Sequence, residues 1–306
     1  LTETGEQGYF GLAGTNSTDD EEKIPFFNLQ REQNLEYDLT RLVYDLSQPK
    51  QKVLGLITSL NMASDPLNRR APWAMTDRLK QFFDVRTIEA NNPIIDDDID
   101  VLMLAHPQGM SKRQVYAIDQ FILKGGRAIV FLDPHSEYTV GLNQAMRRPD
   151  GGNLASGYEI KSLMDAWGVR MDMEKFVGDQ TYSVKVNAAS LGGNTAVDYL
   201  PWFQADERVI SKDDVITAEL KQIFFASSGS LVTTKDAKTK LTPLITSSSK
   251  SGLQDLKLIS TRPNPIAVLE AFKPDDMQHV LAARVQGSVS TAFPKGPPEL
   301  EGEKKE

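Results

Sequence analysis

Residues 101–137 read VLMLAHPQGMSKRQVYAIDQFILKGGRAIVFLDPHSE, and this stretch decides the fold class. It begins with a short, continuous apolar run, Val101–Ala105, which is typical of a strand buried on both faces of a parallel sheet. Ser111 is a suitable N-cap for a helix that ends before the Gly-Gly pair at 125–126. Residues 128–132, Ala-Ile-Val-Phe-Leu, then predict a second strand. This spacing predicts a right-handed βαβ unit with parallel strands.

The same alternation of strands and helices extends on either side of this unit. The further predicted elements are a buried strand at 53–57, a helix at 73–82, a strand at 84–88, a helix at 157–167, and short apolar runs at 169–171 and 176–177 that we expect to extend the sheet. The predicted fold class is therefore α/β. It is a three-layer, doubly wound, mostly parallel sheet of the flavodoxin-like type, with additional N- and C-terminal α+β elements.

Changes in sequence pattern predict four segments along the chain. Residues 1–48 are expected to form N-terminal strands and a helix that packs on the core, and 49–185 the doubly wound core. Residues 186–293 are expected to form a C-terminal extension in the same lobe or a closely packed one. Residues 294–306, rich in Pro, Glu and Lys, predict a solvated tail.

Composition excludes several classes of function. The 306 residues carry 34 basic and 42 acidic side chains, a net charge of -8, which argues against a nucleic-acid partner because phosphate binding needs a concentrated basic surface. The absence of cysteine excludes thiol nucleophiles, cysteine zinc sites and redox motifs.

No apolar run approaches the roughly 18–20 residues that a membrane helix needs. Because the chain begins with Leu1, we expect a longer parent protein whose flanking segments hold a signal or membrane anchor.

The loops that follow the predicted strands hold the candidate site, because open parallel sheets bind ligands at the carboxyl ends of their strands. The candidate cleft residues are Ser59, Asn61, His106, Gln108, Asp133, His135 and Glu137. His106 and His135 end two consecutive strands, so we expect them to lie near each other. With Asp133 or Glu137 they form a possible ligand set for a divalent metal ion. The alternative is that these side chains cap the loops and bond backbone groups.

Motifs of nucleotide-binding and hydrolytic enzymes are missing from the sequence. There is no Gly-x-x-x-x-Gly-Lys-Ser/Thr, no Gly-x-Gly-x-x-Gly after a strand and no Gly-x-Ser-x-Gly elbow. The chain therefore carries no P-loop of its own, and the sequence predicts neither a cofactor nor a catalytic residue.

Several segments together resemble a known family. They are residues 9–12 (Tyr-Phe-Gly-Leu), 14–20, 24–27 (Ile-Pro-Phe-Phe), 35–42, 100–109, 116–121, 125–134, 166–169 (Ala-Trp-Gly-Val) and 199–202 (Tyr-Leu-Pro-Trp). In this order they resemble the auxiliary component of ABC-type transport systems related to gliding motility. The resemblance spans roughly residues 9–298.

The resemblance implies an extracytoplasmic domain of a bacterial inner-membrane protein, in which membrane helices flank the domain. It implies an ABC permease and an ABC ATPase as partners.

The chain is also similar to the class I glutamine-amidotransferase-like fold, in which a nucleophilic cysteine follows a central strand. If residues 128–132 are that strand, the turn holds Asp133, Pro134 and His135, and no thiol is present for that chemistry.

The predicted function is accordingly a non-catalytic, extracytoplasmic binding or scaffolding domain of a bacterial ABC-type transport system, linked to gliding motility or envelope export. One alternative is a metal-dependent hydrolase that uses His106, His135 and Asp133 or Glu137. The other is a stand-alone sugar- or peptide-binding domain, for which Trp73, Trp167 and Trp202 are candidate stacking surfaces, with Trp167 the one most expected in the core.

Overall fold

A computed structural model describes residues 10–16, 21–27, 34–47, 51–62, 72–89, 94–145, 158–187, 196–260 and 263–298. Six α-helices and fifteen β-strands lie in these ranges. None of these helices is long and apolar enough to cross a membrane. The described residues form a mixed α/β structure with one parallel sheet and several antiparallel sheets, so the coarse fold class is confirmed, and the flavodoxin-like assignment stays a prediction.

The N-terminal elements pack on the remainder of the chain. Strands β1 (Leu12–Thr15) and β2 (Glu21–Ile24) form an antiparallel hairpin, and helix α1 (Leu35–Ser47) contacts both of them. The Arg41 guanidinium of α1 lies 4.6 Å from the ring centroid of Phe82, which belongs to the next helix. The expected helix at the N-terminus is therefore present and is tied to the core by a cation–π contact.

Four strands form the parallel sheet. They are β3 (Lys52–Thr58), β4 (Phe83–Thr87), β5 (Val101–Ala105) and β6 (Arg127–Phe131), in the spatial order β4-β3-β5-β6. The continuous apolar runs of β3 and β5 place these strands in the middle, where Leu102 and Leu104 have no exposed surface. The βαβ units predicted from the sequence are confirmed.

Helices cover both faces of this sheet. Helix α2 (Ala74–Phe82) lies on one face, and helices α3 (Lys112–Leu123) and α5 (Tyr158–Ala166) lie on the other. Helix α4 (Glu137–Ala145) follows β6 in the chain. Leu79 of α2 packs on one face with Leu54 and Leu56, while Ile118 of α3 and Ile160 of α5 belong to the cluster on the other face.

The predicted start and end of α3 are confirmed, because the Ser111 hydroxyl accepts from the Gln114 backbone N–H and Gly125 takes a positive φ of 93°.

Strand β6 lies at an edge of the parallel sheet. Its residues Ile129 and Phe131 are 45% and 49% exposed, although they pair with Met103 and Ala105 in the buried neighbouring strand. The amidotransferase-like interpretation would need residues 128–132 to be a central strand, whereas β6 is the last strand of the sheet within the described residues. That interpretation stays a prediction.

The remaining strands are antiparallel. They are β7 (Val169–Met171), β8 (Lys175–Asp179), β9 (Ser183–Asn187), β10 (Ala196–Asp206), β11 (Gln222–Ala226), β12 (Leu231–Thr233), β13 (Thr239–Thr246), β14 (Ser251–Asp255) and β15 (Val280–Gly287). They form three sheets with the orders β13-β15-β12-β7, β11-β10-β9 and β14-β8. A short 3-10 helix, Leu256–Leu258, and helix α6, Pro265–Ala271, complete this part of the chain.

The expectation that residues 169–171 and 176–177 extend the parallel sheet is wrong, whereas the four-stranded sheet itself is parallel throughout, as expected. Strand β7 pairs with β12 and strand β8 pairs with β14, both antiparallel. Only residues 172–174 separate β7 from β8, whereas a parallel crossover needs about a dozen residues or more. The predicted segment boundary at residue 185 stays a prediction, although β7 and β8 pair with strands that follow it.

The chain after β15 returns to the parallel sheet and binds helix α3. The fully enclosed carboxylate of Asp119 accepts hydrogen bonds from the Thr291 hydroxyl at 2.6 Å and the Ala292 backbone N–H at 2.9 Å. The Phe293 ring lies edge-on to Tyr116 at 5.2 Å. Residues 291–293 therefore join the antiparallel part of the chain to the parallel sheet.

Asp179, at the end of β8, organises the loops beside the candidate site. It has no exposed surface, and its carboxylate accepts from the backbone N–H and hydroxyl of Ser248 and from the backbone N–H groups of Thr181 and Tyr182. On the same strand, the Val177 N–H donates to the Ser228 carbonyl at 2.8 Å. A satisfied buried carboxylate thus fixes the strand that positions residues 227–229.

We expect Asp179→Ala to lower the free energy of unfolding by about 3 kcal/mol, because several buried donors lose their acceptor together. Urea unfolding followed by circular dichroism measures the change. Asp236→Ala is the matched control, since Asp236 is exposed and makes no hydrogen bond to the described residues. Equal stability of the two variants would contradict the assigned role of Asp179.

Candidate functional site

The carboxyl ends of β3 and β5 meet as the sequence predicted. The register pairs Thr58 with Ala105, and the Thr58 hydroxyl donates to the Ala105 carbonyl at 2.7 Å. One residue further, the Ser59 hydroxyl donates to the His106 carbonyl at 2.5 Å. Asn61 is half-buried and makes no hydrogen bond to the described residues, so it is not joined to the other candidates.

His106 has an unusual backbone conformation at the end of β5. Its φ of 46° lies in the left-handed region, which non-glycine residues seldom adopt, and its N–H donates to the Phe131 carbonyl at 2.8 Å. Gln108 Nε2 lies 2.6 Å from His106 Nε2, whereas His106 Nδ1 is buried without a hydrogen-bond partner. Burial lowers the pKa of His106, so its ring is neutral at neutral pH.

The loop after β6 holds Asp133, His135 and Glu137, and the structure brings these three predicted residues together. His135 is only 4% exposed, its Nδ1 has no partner, and its Nε2 lies 4.0 Å from Glu137 Oε2. Burial lowers the pKa of His135, while the negative charge of Glu137 acts in the opposite direction. Burial and the repulsion of Glu137 raise the pKa of Asp133 from 3.8 to about 7.

Glu137 is bound by two residues from the antiparallel part of the chain. Its Oε1 accepts from Trp202 Nε1 at 3.0 Å and from the Ser227 hydroxyl at 2.6 Å. Ser227 is fully buried with a φ of 55°, and its N–H donates to the Pro201 carbonyl. Burial, followed by the Glu137 charge, raises the pKa of nearby Tyr199. This carboxylate therefore joins α4, β10 and the turn after β11.

Sequence reasoning missed the contributions of Ser227 and of the Trp202 indole N–H. Ser227 lies in a Ser- and Gly-rich turn 90 residues from Glu137, and nothing in the local pattern distinguishes it. Trp202 was named only as a candidate stacking surface, and its indole N–H donates to the Glu137 carboxylate. Trp73 lies edge-on to Tyr138 at 5.0 Å, and Trp167 packs against the core cluster of α3 and α5, as expected for that residue.

The candidate residues form two neighbouring groups. Ser59, His106 and Gln108 are linked at the end of β5, and Asp133, His135 and Glu137 lie at the end of β6. The His106 N–H bond to Phe131 connects the two groups through the backbone, and no hydrogen bond joins the two imidazole rings. Within the described ranges, no set of three or more His, Asp or Glu side chains is arranged to hold a metal ion, so the hydrolase alternative lacks a ligand set there.

Comparison with known proteins adds one match. A family model for the auxiliary component, described as an ABC-type uncharacterized transport system, matches residues 51–306. The N-terminal segments of the sequence resemblance, residues 9–42, lie outside this match. No curated protein and no solved structure matches the chain.

Asp133→Asn is expected to change how stability depends on pH. Because the pKa of Asp133 in the folded chain is raised to about 7, the folded state binds more protons than the unfolded state between about pH 4 and pH 7. The free energy of unfolding of the wild type should therefore fall, relative to that of the variant, as the pH rises from about 4 to about 7. Above pH 7 the difference between the two free energies should stay constant. Urea unfolding across this range measures the difference, and parallel pH profiles would contradict the assignment.

Ser227→Ala removes a buried hydrogen bond to a charged acceptor. We expect the free energy of unfolding to fall by about 2 kcal/mol and the fluorescence of Trp202 to change, because both residues share Glu137 Oε1. Ser260→Ala is the control, since its hydroxyl makes only a long surface bond, 3.5 Å, to the Lys257 carbonyl. An unchanged melting curve together with unchanged fluorescence would refute the link.

Proposed function

Because the chain belongs to the auxiliary component family of ABC-type transport systems, we propose that it serves its transporter as a non-catalytic binding and scaffolding domain. The family match over residues 51–306 is the observation that carries this proposal. The absence of a P-loop from the sequence agrees with a separate ATPase subunit as the source of energy. The sequence resemblance places the domain on the extracytoplasmic side of the inner membrane, in a system for gliding motility or envelope export.

The proposed binding surface is the carboxyl edge of the parallel sheet. Two of its groups, Ser59 and Glu137, are linked to the main chain and to the antiparallel sheets by short hydrogen bonds, which hold them in place before any ligand arrives. His135 Nε2 and Glu137 Oε2 there make no hydrogen bond to the described residues, so both remain able to bind a ligand atom. These features support ligand recognition rather than a purely structural loop.

The proposal is tested by purifying the full-length protein that contains this chain from native membranes in mild detergent, followed by mass spectrometry. We expect an ABC permease and an ABC ATPase at comparable amounts. An unrelated inner-membrane protein with the same tag is the control. Recovery of the protein alone, or ATP hydrolysis or amidase activity by the isolated chain, would overturn the proposal.

A further inference from the structure

Four polar atoms at the end of β6 are available to a ligand. His135 Nε2, Glu137 Oε2 and both carboxylate oxygens of Asp133 make no hydrogen bond to the described residues. They are not among the fully buried unpaired atoms, so each retains contact with solvent. By contrast, the rest of His135 is enclosed, which means that its ring is held with one nitrogen directed at the Glu137 carboxylate.

The spacing of two of these atoms fits one bridging oxygen. The 4.0 Å between His135 Nε2 and Glu137 Oε2 is too long for a direct hydrogen bond. An atom placed about 2.8 Å from both satisfies ordinary hydrogen-bond distances to each of them. The gap therefore suits a ligand atom that interacts with the imidazole and the carboxylate at the same time.

The protonation of the two groups specifies the chemistry of that atom. Nδ1 of His135 is buried without an acceptor, so the tautomer with its hydrogen on Nε2 avoids burying an unpaired N–H. The bridging atom must then accept from His135 and donate to Glu137. A hydroxyl group does both, whereas an ammonium group has no lone pair to accept with.

The surrounding charge also selects against anions. Glu137 and Asp133 repel each other, and no Lys or Arg forms an ion pair with either of them in the part of the chain that the structure describes. A phosphate or carboxylate group would meet uncompensated negative charge. Trp202 packs edge-on against Tyr199 and Phe224, so its contribution to the site is the hydrogen bond from its indole N–H to Glu137.

We propose that this site, formed by Asp133, His135, Glu137 and Trp202, binds a neutral saccharide. One sugar hydroxyl bridges His135 Nε2 and Glu137 Oε2, and a neighbouring hydroxyl donates to Asp133. The inference rests on the proposed binding role of the domain and names the class of its ligand. Recognition of a saccharide by carboxylates and an imidazole fits the binding role proposed for the domain.

The test uses the full chain and a panel of neutral oligosaccharides, namely chitobiose, maltotriose, cellotriose and mannotriose. Glucose 6-phosphate and spermidine represent the anionic and ammonium classes. Saturation-transfer NMR detects binding, and calorimetric titration gives the Kd. We expect at least one neutral oligosaccharide to bind, and neither charged probe to bind more tightly than it.

The variants Asp133→Asn and His135→Phe are each expected to raise the Kd for the oligosaccharide about tenfold. The reason is that each variant loses one hydrogen bond between the ligand and a charged or buried group. Asp133→Asn breaks no hydrogen bond within the described residues, so it remains informative if His135→Phe fails to fold. Asp97→Asn, at a side chain that is 99% exposed, is the matched control and should bind like the wild type.

Three results would overturn the inference: no saturation transfer to any oligosaccharide, tighter binding of a charged probe, or unchanged affinity in Asp133→Asn. None of them affects recovery of the permease and ATPase with the full-length protein. Failure of the saccharide site is therefore distinguishable from failure of the proposed function.

Discussion

The carboxylate of Glu137 joins the two parts of the chain at the edge where the candidate site lies. It belongs to the first turn of α4, where the helix dipole favours a negative charge, and it accepts from Trp202 and Ser227 of the antiparallel part. Charge-assisted bonds of this kind are short and directional, so they fix the positions of all three elements. Because Oε1 takes both donors, Oε2 remains directed towards His135.

A second carboxylate joins the two parts of the chain through helix α3. Asp119 of α3 binds the chain after β15 through the Thr291 hydroxyl and the Ala292 N–H. Leaving the buried Asp119 carboxylate without its donors would cost more than the two bonds contribute in isolation. The antiparallel sheets are therefore attached to the parallel sheet at two well-defined points, beside the site and away from it.

This arrangement shows how the two parts of the chain meet at one sheet edge. The parallel strands bring loop residues to that edge, as in other open α/β sheets. The antiparallel part supplies an indole N–H and a hydroxyl that orient the Glu137 carboxylate. In the proposed saccharide site, this oriented carboxylate is the acceptor that stands beside the imidazole of His135.

Local sequence determined the helices and the parallel strands. The apolar runs at 53–57 and 101–105, the Ser111 cap and the glycines at 125–126 depend on interactions between near neighbours, which a sequence pattern records directly. The same patterns placed His106 and Asp133 at strand ends, and with them most of the candidate site. The short connection between β7 and β8 was also present in the sequence, and its length already excluded a parallel crossover.

Only the tertiary structure decided the remainder. The pairing of β7 with β12 and the bonds from Trp202 and Ser227 to Glu137 join residues about 60 to 90 positions apart, and the edge position of β6 depends on which strands pair beside it. Such contacts depend on which surfaces remain free after the local elements have formed, and no periodicity records that choice. The sequence alone therefore determined which elements form and which residues stand at their ends, and packing between distant segments decided which of those residues act together.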